Sequence, residues 1–273
     1  MCLPGTIEAV REQQPQLTRR TVLAGGGAAA LGALLPGEAV AHRRRPRRRG
    51  RLVDLTHTFT AGFPVYTGAT PTRRTIKNYT PDGFYSQEWT FGEHSGTHMD
   101  APGHFVEGGR RTPQLRPREL MLPIVVIDIS RRAADDPDAV VTVDDLRRFE
   151  RRHGRIPRRA LVAMDSGWDA RLGTPEFTGG PLGSYHFPGF GEDAIDFMIR
   201  RNRGSAIAVD TMSLDPGNSA TFPVHNKWLA EDKYGLENLK NLSKLPAHGA
   251  TAIVGVIPWE EGSGGPARVL ATY

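Results

Sequence analysis

The sequence predicts an α/β domain built around a mixed β-sheet. Three observations carry this. Pro123–Ile129 (PIVVIDI) and Ala160–Met164 (ALVAM) are short apolar runs of the length of buried strands. Amphipathic helical stretches fall between such runs, the alternation expected of α/β proteins. The N-terminal part of the domain carries several strand-like segments close together, which favours antiparallel pairs and hence a mixed sheet.

Taken in order, Leu52–Phe59, Arg73–Tyr79 and Phe84–Phe91 alternate or carry β-branched and aromatic residues, as strands do. Pro123–Ile129 is the first buried strand. Thr142 is placed as the N-cap of an amphipathic helix, with Asp144 and Asp145 in its first turn. Ala160–Met164 is the second buried strand. Glu192–Asn202 is predicted as a helix, Ser205–Val209 as a strand and Val224–Glu231 as a helix. Thr251–Ile257 and Arg268–Thr272 close the chain as strands.

The first fifty residues differ from the rest. Paired arginines, Arg19 and Arg20, precede a glycine- and alanine-rich apolar stretch, and Ala39-Val40-Ala41 has the A-x-A form of a cleavage site. This predicts a twin-arginine export signal over 1–41, cleaved near Ala41, and so a periplasmic or extracellular mature chain. The apolar stretch is too short and too rich in glycine for a stable membrane anchor. Cleavage would remove Cys2, the single cysteine, whose solitude already excludes a disulfide framework and a cysteine zinc site.

Residues 42–51 hold seven arginines and read as a disordered linker able to touch anionic surfaces. Residues 52–273 carry 25 Lys and Arg against 27 Asp and Glu. The high pI of 9.6 therefore belongs to the N-terminal tail. It is no argument for a specific nucleic-acid partner. From 52 to 273 neither a repeat nor a second linker interrupts what reads as one domain.

The informative stretch is HSGTHMDAPGH. It places His94, His98, Asp100 and His104 within eleven residues, with Gly96 and Pro102 between them. Glycine and proline disfavour a helix here, so the segment reads as a strand end running into a loop. In extended chain, alternate side chains share a face, which puts His98 and Asp100 together and adds His94 as a third donor. Imidazoles with a carboxylate suit zinc, manganese or iron(II) and disfavour calcium or magnesium. His104 faces the same cavity as a ligand or as a base. His42, His57, His153 and His248 are assigned no such role.

This stretch resembles the H-x-G-T-H-x-D-x-P-x-H signature of the metal-dependent cyclase family. That family includes bacterial kynurenine formamidases, isatin hydrolases and proteins classed as polyketide cyclases. Leu52–Phe59, Phe63–Tyr66, Ile207–Ser213, Leu236–Leu242 and Pro266–Ala271 are similar to further family segments, so the resemblance spans about 52–273. It implies a swivelling β/β/α fold and a homodimer or homotetramer. It implies His94, His98 and Asp100 as metal ligands, with His225 and Glu237 completing the site or holding a second metal bridged by Asp100. His104 becomes the catalytic histidine. Zinc ranks first and manganese second, one or two ions per subunit. From the residues alone, His225 and Glu237, twelve apart across Gly235, read as a solvated helix face.

The implied activity is metal-dependent, arylformamidase-like hydrolysis of an amide or lactam bond in a small aromatic substrate. Water is acidified by the metal, and His104 or Glu237 moves its proton to the leaving nitrogen. Phe63, Tyr66, Trp168 and His186 are the expected substrate-pocket residues. The alternatives are a metal-dependent cyclase or dehydratase, and an exported metal-binding protein without catalysis. Two departures bear on substrate. The Phe63–Gly68 loop lacks the tryptophan usual in the formamidases, and Asp165 stands where many relatives have arginine or threonine.

Overall fold

A computed structural model describes residues 50–181 and 184–273. The predicted export signal and the linker up to Arg49 lie outside the described residues. Two compact units are distinguished. The described part of the first, residues 73–89, holds most of a two-stranded sheet, β2 (Thr72–Lys77) with β3 (Ser86–Thr90). Arg74 clamps Glu88 with two hydrogen bonds of 2.7 and 3.0 Å, and Tyr79 stacks on Tyr85.

The second unit, residues 50–72 and 90–273, carries the mixed sheet. Its strands are β1 (Leu52–Asp54), β4 (His98–Asp100), β5 (Met121–Asp128), β7 (Leu161–Asp165), β9 (Ala206–Val209), β10 (Tyr234–Glu237), β11 (Ala250–Val256) and β12 (Gly264–Thr272). They run in the order β1-β12-β11-β5-β7-β9-β10-β4, and β4 also pairs with β12, so the sheet closes into a barrel. Pairings β5–β7, β7–β9 and β9–β10 are parallel; the others are antiparallel. A small parallel sheet joins β6 (Val140–Val141) to β8 (Gly189–Phe190). The helices are α1 (Ser130–Asp135), α2 (Val143–His153), α3 (Glu192–Arg200) and α4 (Pro223–Ala230).

The apolar runs are long because both faces of the strands are covered. Along β5, β7 and β9, Ile124, Val126, Leu161, Ala163, Ala206 and Ala208 fill one core. Their neighbours Val125, Ile127, Val162, Met164, Ile207 and Val209 join a second core with Leu146, Phe149, Ile195 and Trp228 of the helices. The first core lies inside the barrel and is rich in alanine, which lets a small barrel close. Thr142 caps α2 as expected: its Oγ1 accepts from Asp145 N–H at 3.2 Å, and the Asp145 carboxylate accepts from Thr142 N–H at 2.9 Å.

Three differences from the sequence reading matter most, the first local and the other two tertiary. The first strand stops at Asp54, whose Oδ1 accepts from Thr56 N–H and turns the chain. Gly235, expected in a turn, lies in β10, held between Ile207 and Asp100. The last strand begins at Gly264, four residues before Arg268, because Gly264–Pro266 pairs with Asp100–His98. These last two differences concern the strands that border β4.

Candidate metal centre

β4 is three residues long and buried throughout. Its pleat sends Met99 into the barrel core and His98 and Asp100 to the opposite face. On the neighbouring β10, Glu237 stands directly across from His98, and Gly235 across from Asp100. On β12, Gly264 also faces Asp100. A Cβ at Gly264 would lie 2.5 Å from Cε1 of His94, so only glycine lets the His94 ring settle there. Gly96 has φ of 68° and a built Cβ would lie 2.5 Å from the Phe59 ring, so it too is confined to glycine.

His225 comes from the first turn of α4. Asp215 organises that turn. Its carboxylate accepts from the backbone N–H of Val224 at 2.9 Å and of His225 at 3.1 Å, and from His225 Nδ1–H at 2.6 Å. Asp215 therefore caps the helix and fixes the imidazole tautomer together. His98 is fixed similarly, with Nδ1–H donating to the Gly96 carbonyl at 2.9 Å. With Nδ1 so engaged, both rings turn Nε2 inward, and both Nε2 atoms point at carboxylates. His98 Nε2 lies 3.2 Å from Glu237 Oε2 and 3.4 Å from Asp100 Oδ1; His225 Nε2 lies 3.1 Å from Glu237 Oε1 and 3.6 Å from Asp100 Oδ2.

The electrostatics agree. Burial opposes charge on His98, but the facing Asp100 and Glu237 carboxylates outweigh it and raise its pKa to about 10. His225 is raised well above its usual value against the same burial penalty, through Asp100, Asp215 and Glu237. Burial would lift Asp100, yet contacts with His225, His94 and His98 hold it well below the usual carboxylate range. The two carboxylates thus demand positive charge from whatever lies between them. The buried atoms His98 Nε2 and Asp100 Oδ2 have no hydrogen-bond partner. Unpartnered buried acceptors are costly unless a cation sits among them. Ligand atoms of His98, Asp100 and Glu237 all lie within 4.8 Å of one another, and so do those of His94, Asp100 and His104. Nitrogen and carboxylate donors at this spacing fit a transition-type divalent metal.

All six residues expected at the centre, His94, His98, Asp100, His104, His225 and Glu237, line one cavity of about 260 Å³. His104 stacks on His94 at 3.7 Å between ring centroids. Burial, the largest influence, pushes its pKa down to about 4.

Of the expected substrate-pocket residues, Tyr66 lines the cavity. Phe63, Trp168 and His186 do not. Phe63 is 1% exposed and packs on Phe59 and the edge of His57. Trp168 is equally buried: its Nε1–H donates to the Phe177 carbonyl and the Arg171 guanidinium covers its face. His186 pairs with Asp138 at 2.9 Å and borders a separate groove with Trp168. The Met164–Trp168 segment is likewise turned away, with Ser166 Oγ donating to buried Asp210 at 2.6 Å. The wall is built instead from Phe105, Met212 and Phe222. Phe105 follows His104 directly. Phe222 precedes α4 in the left-handed region, φ 49°, a conformation rare for a bulky side chain, and leans on Tyr66 at 5.4 Å. No local sequence pattern marks it.

The barrel and this donor cluster define a candidate metal centre open to a cavity. The family model described as "Putative cyclase" matches residues 53–216. The chain belongs to this cyclase family. The isatin hydrolase of Roseibium aggregatum is 36% identical over 206 residues, 72% of this chain and 78% of that protein. The kynurenine formamidase of Geobacillus thermodenitrificans is 27% identical over 180 residues, 64% and 75% of the two chains. Among solved structures, isatin hydrolase A from Labrenzia aggregata bound to benzyl benzoate superposes with a TM-score of 0.77 at 33% identity, covering 82% of this chain and 94% of that one.

Proposed function

We propose that this protein hydrolyses the amide or lactam bond of a small aromatic compound, with zinc as first candidate metal and manganese as second. One observation carries the reading: the buried carboxylate–imidazole centre opens directly into a cavity walled by Tyr66, Phe105 and Phe222. At about 260 Å³ the cavity is near the lower end of ligand sites, roughly 300–1,000 Å³. That favours a one- or two-ring substrate over a peptide. The relatives named isatin hydrolase and kynurenine formamidase support the bond type.

His98, Asp100 and Glu237, with His225, are the residues that would hold the metal, and His94 with His104 border the same Asp100 carboxylate. Asp100 is common to both groups, which is compatible with one ion or two per subunit. The metal, when bound, supplies Lewis acidity that polarises a carbonyl and acidifies water. The side chains do the rest. Glu237 is anchored, its Oε1 accepting from Leu214 N–H at 2.9 Å. His104, neutral at physiological pH and lining the cavity, is assigned the base, taking a proton from water and passing it to the leaving nitrogen. Tyr66 is backed by Tyr185 and Phe187 and offers a firm aromatic wall for a flat substrate.

The deciding experiment is metal analysis of purified protein combined with turnover of N-formyl arylamines and isatin-type lactams in H₂¹⁸O. Bound zinc or manganese and one labelled oxygen in the carboxylate formed (formate from the formamides, the ring-opened acid from the lactams) are expected. Unlabelled product would mean a cyclase or dehydratase. A metal-loaded protein with no turnover across both substrate classes would mean a binding protein.

The assembly is proposed as a homodimer or homotetramer, and the mature chain as exported. The paired arginines and the Ala39–Ala41 site motivate the latter. Mass spectrometry of protein from the native host should find a first residue near His42; full-length chain confined to the cytoplasm would refute export.

A further inference from the structure

We propose that Glu93 and Ser263 form a positioning relay that fixes the tautomer of His94, so that its Nδ1, not its Nε2, is the atom offered to the metal. The inference rests on the metal-centre reading above and adds two residues outside the ligand set. Ser263 donates twice to one oxygen of Glu93: its backbone N–H reaches Oε2 at 2.8 Å and its hydroxyl at 2.7 Å. A serine hydroxyl has one proton, and the carboxylate claims it. What Ser263 Oγ then shows His94 Nε2, at 3.0 Å, is a lone pair. Nε2 must carry the proton and donate it. In the neutral imidazole that a metal requires, that is the single N–H, and Nδ1 is left bare.

Bare Nδ1 lies 2.6 Å from Asp100 Oδ1, itself an acceptor. Two lone pairs at that distance repel unless a proton lies between them or a metal ion sits beside both. The Asp100 carboxylate is the member shared by the two candidate ligand groups. His94 is thus wired in the opposite sense to its neighbours: His98 and His225 spend Nδ1–H on Gly96 and Asp215 and turn Nε2 inward. The close approach of the Gly264 backbone, which no Cβ would permit, brings Ser263 within reach of the ring. Outer hydrogen-bond partners of metal-bound histidines typically contribute about 10–100-fold in metal affinity.

The test uses full-length chain stripped with a chelator and titrated with zinc against a chromophoric competitor. Ser263→Ala should weaken zinc binding by about 10–100-fold. Glu93→Ala, which frees the hydroxyl to donate to Nε2 instead, should weaken it too. Ser263→Thr keeps the hydroxyl and should bind within a few-fold of the parent protein. A second readout needs no variant of the relay. Long-range ¹H–¹⁵N spectra of zinc-loaded, histidine-labelled protein should show His94 protonated at Nε2 and His98 and His225 protonated at Nδ1. Parent-like zinc binding by Ser263→Ala overturns the relay, as does His94 protonated at Nδ1. A parent protein that takes up neither zinc nor manganese overturns the metal-centre reading and the relay with it.

Discussion

His98→Ala protein is expected to lose most of its metal and to turn over substrate about 10³-fold more slowly, or worse, while keeping its fold. His98 is a ligand candidate with little freedom. It is 2% exposed, its Nδ1 is tied to Gly96, and its Nε2 is aimed between Asp100 and Glu237 with no other partner. Removing it takes an imidazole from a centre whose two carboxylates then face one another with less compensation. Lewis-acid assistance is worth several kcal/mol of barrier, and each ~1.4 kcal/mol is tenfold in rate. The fold should survive because Met99, not His98, fills the barrel core at this strand. Metal content by mass spectrometry, circular dichroism and turnover on one working substrate decide it. Full metal occupancy and an unchanged rate would remove His98 from the centre.

Why His98 was legible in the sequence and Phe222 was not is a matter of range. The ligands on β4 lie within one stretch, and a two-residue alternation suffices to put His98 and Asp100 on one face. Glu237 is beyond that reach. It meets His98 only because β10 pairs antiparallel to β4 with Glu237 in register, and its own local pattern, glycine two residues before it, reads as a turn. His225 needs the cap made by Asp215, ten residues earlier, to be aimed at all. For both, the family signature stood in for a long-range pairing that periodicity does not encode.

The same limit explains the cavity wall. Phe63 and Trp168 are large aromatics, and their size favours burial: Phe63 packs on Phe59 and Trp168 packs among Phe177, Phe187 and Met212 instead of facing the cavity. Phe222 took their place through an unusual backbone angle, and nothing in its neighbours announces one. The strand pattern fared better. β5, β7 and β9 were visible because both of their faces are covered, which makes the apolar run continuous. The first third of β12 was hidden because Gly264, Gly265 and Pro266 border the centre, and glycine and proline stand where β-formers would.

His104→Ala separates the two roles that the geometry leaves to that residue. The sequence pattern places it beyond Pro102, on the substrate side of the ligands. The structure puts its ring against that of His94 and brings a ring nitrogen within 4.8 Å of the His94 and Asp100 ligand atoms. As a base it should be replaceable without loss of metal, at a cost of about 10²–10⁴ in rate. Its pKa fixes the sign of the accompanying pH effect. Burial holds it down at about 4, so it is neutral, and able to accept a proton, throughout pH 6–8. On its account the rate stays level as pH falls from 8 to 6 and drops only as pH approaches about 4. A protonation limb near 6.5 that vanishes in His104→Ala would mean that the residue is far less desolvated than its surroundings imply. His94→Ala is the comparison. It should lose metal and activity together, because Nδ1 of His94 faces Asp100 at 2.6 Å. If His104→Ala sheds its metal as readily as His94→Ala, His104 is a ligand and the proton work falls to Glu237. If it keeps both metal and full rate, neither role is its own.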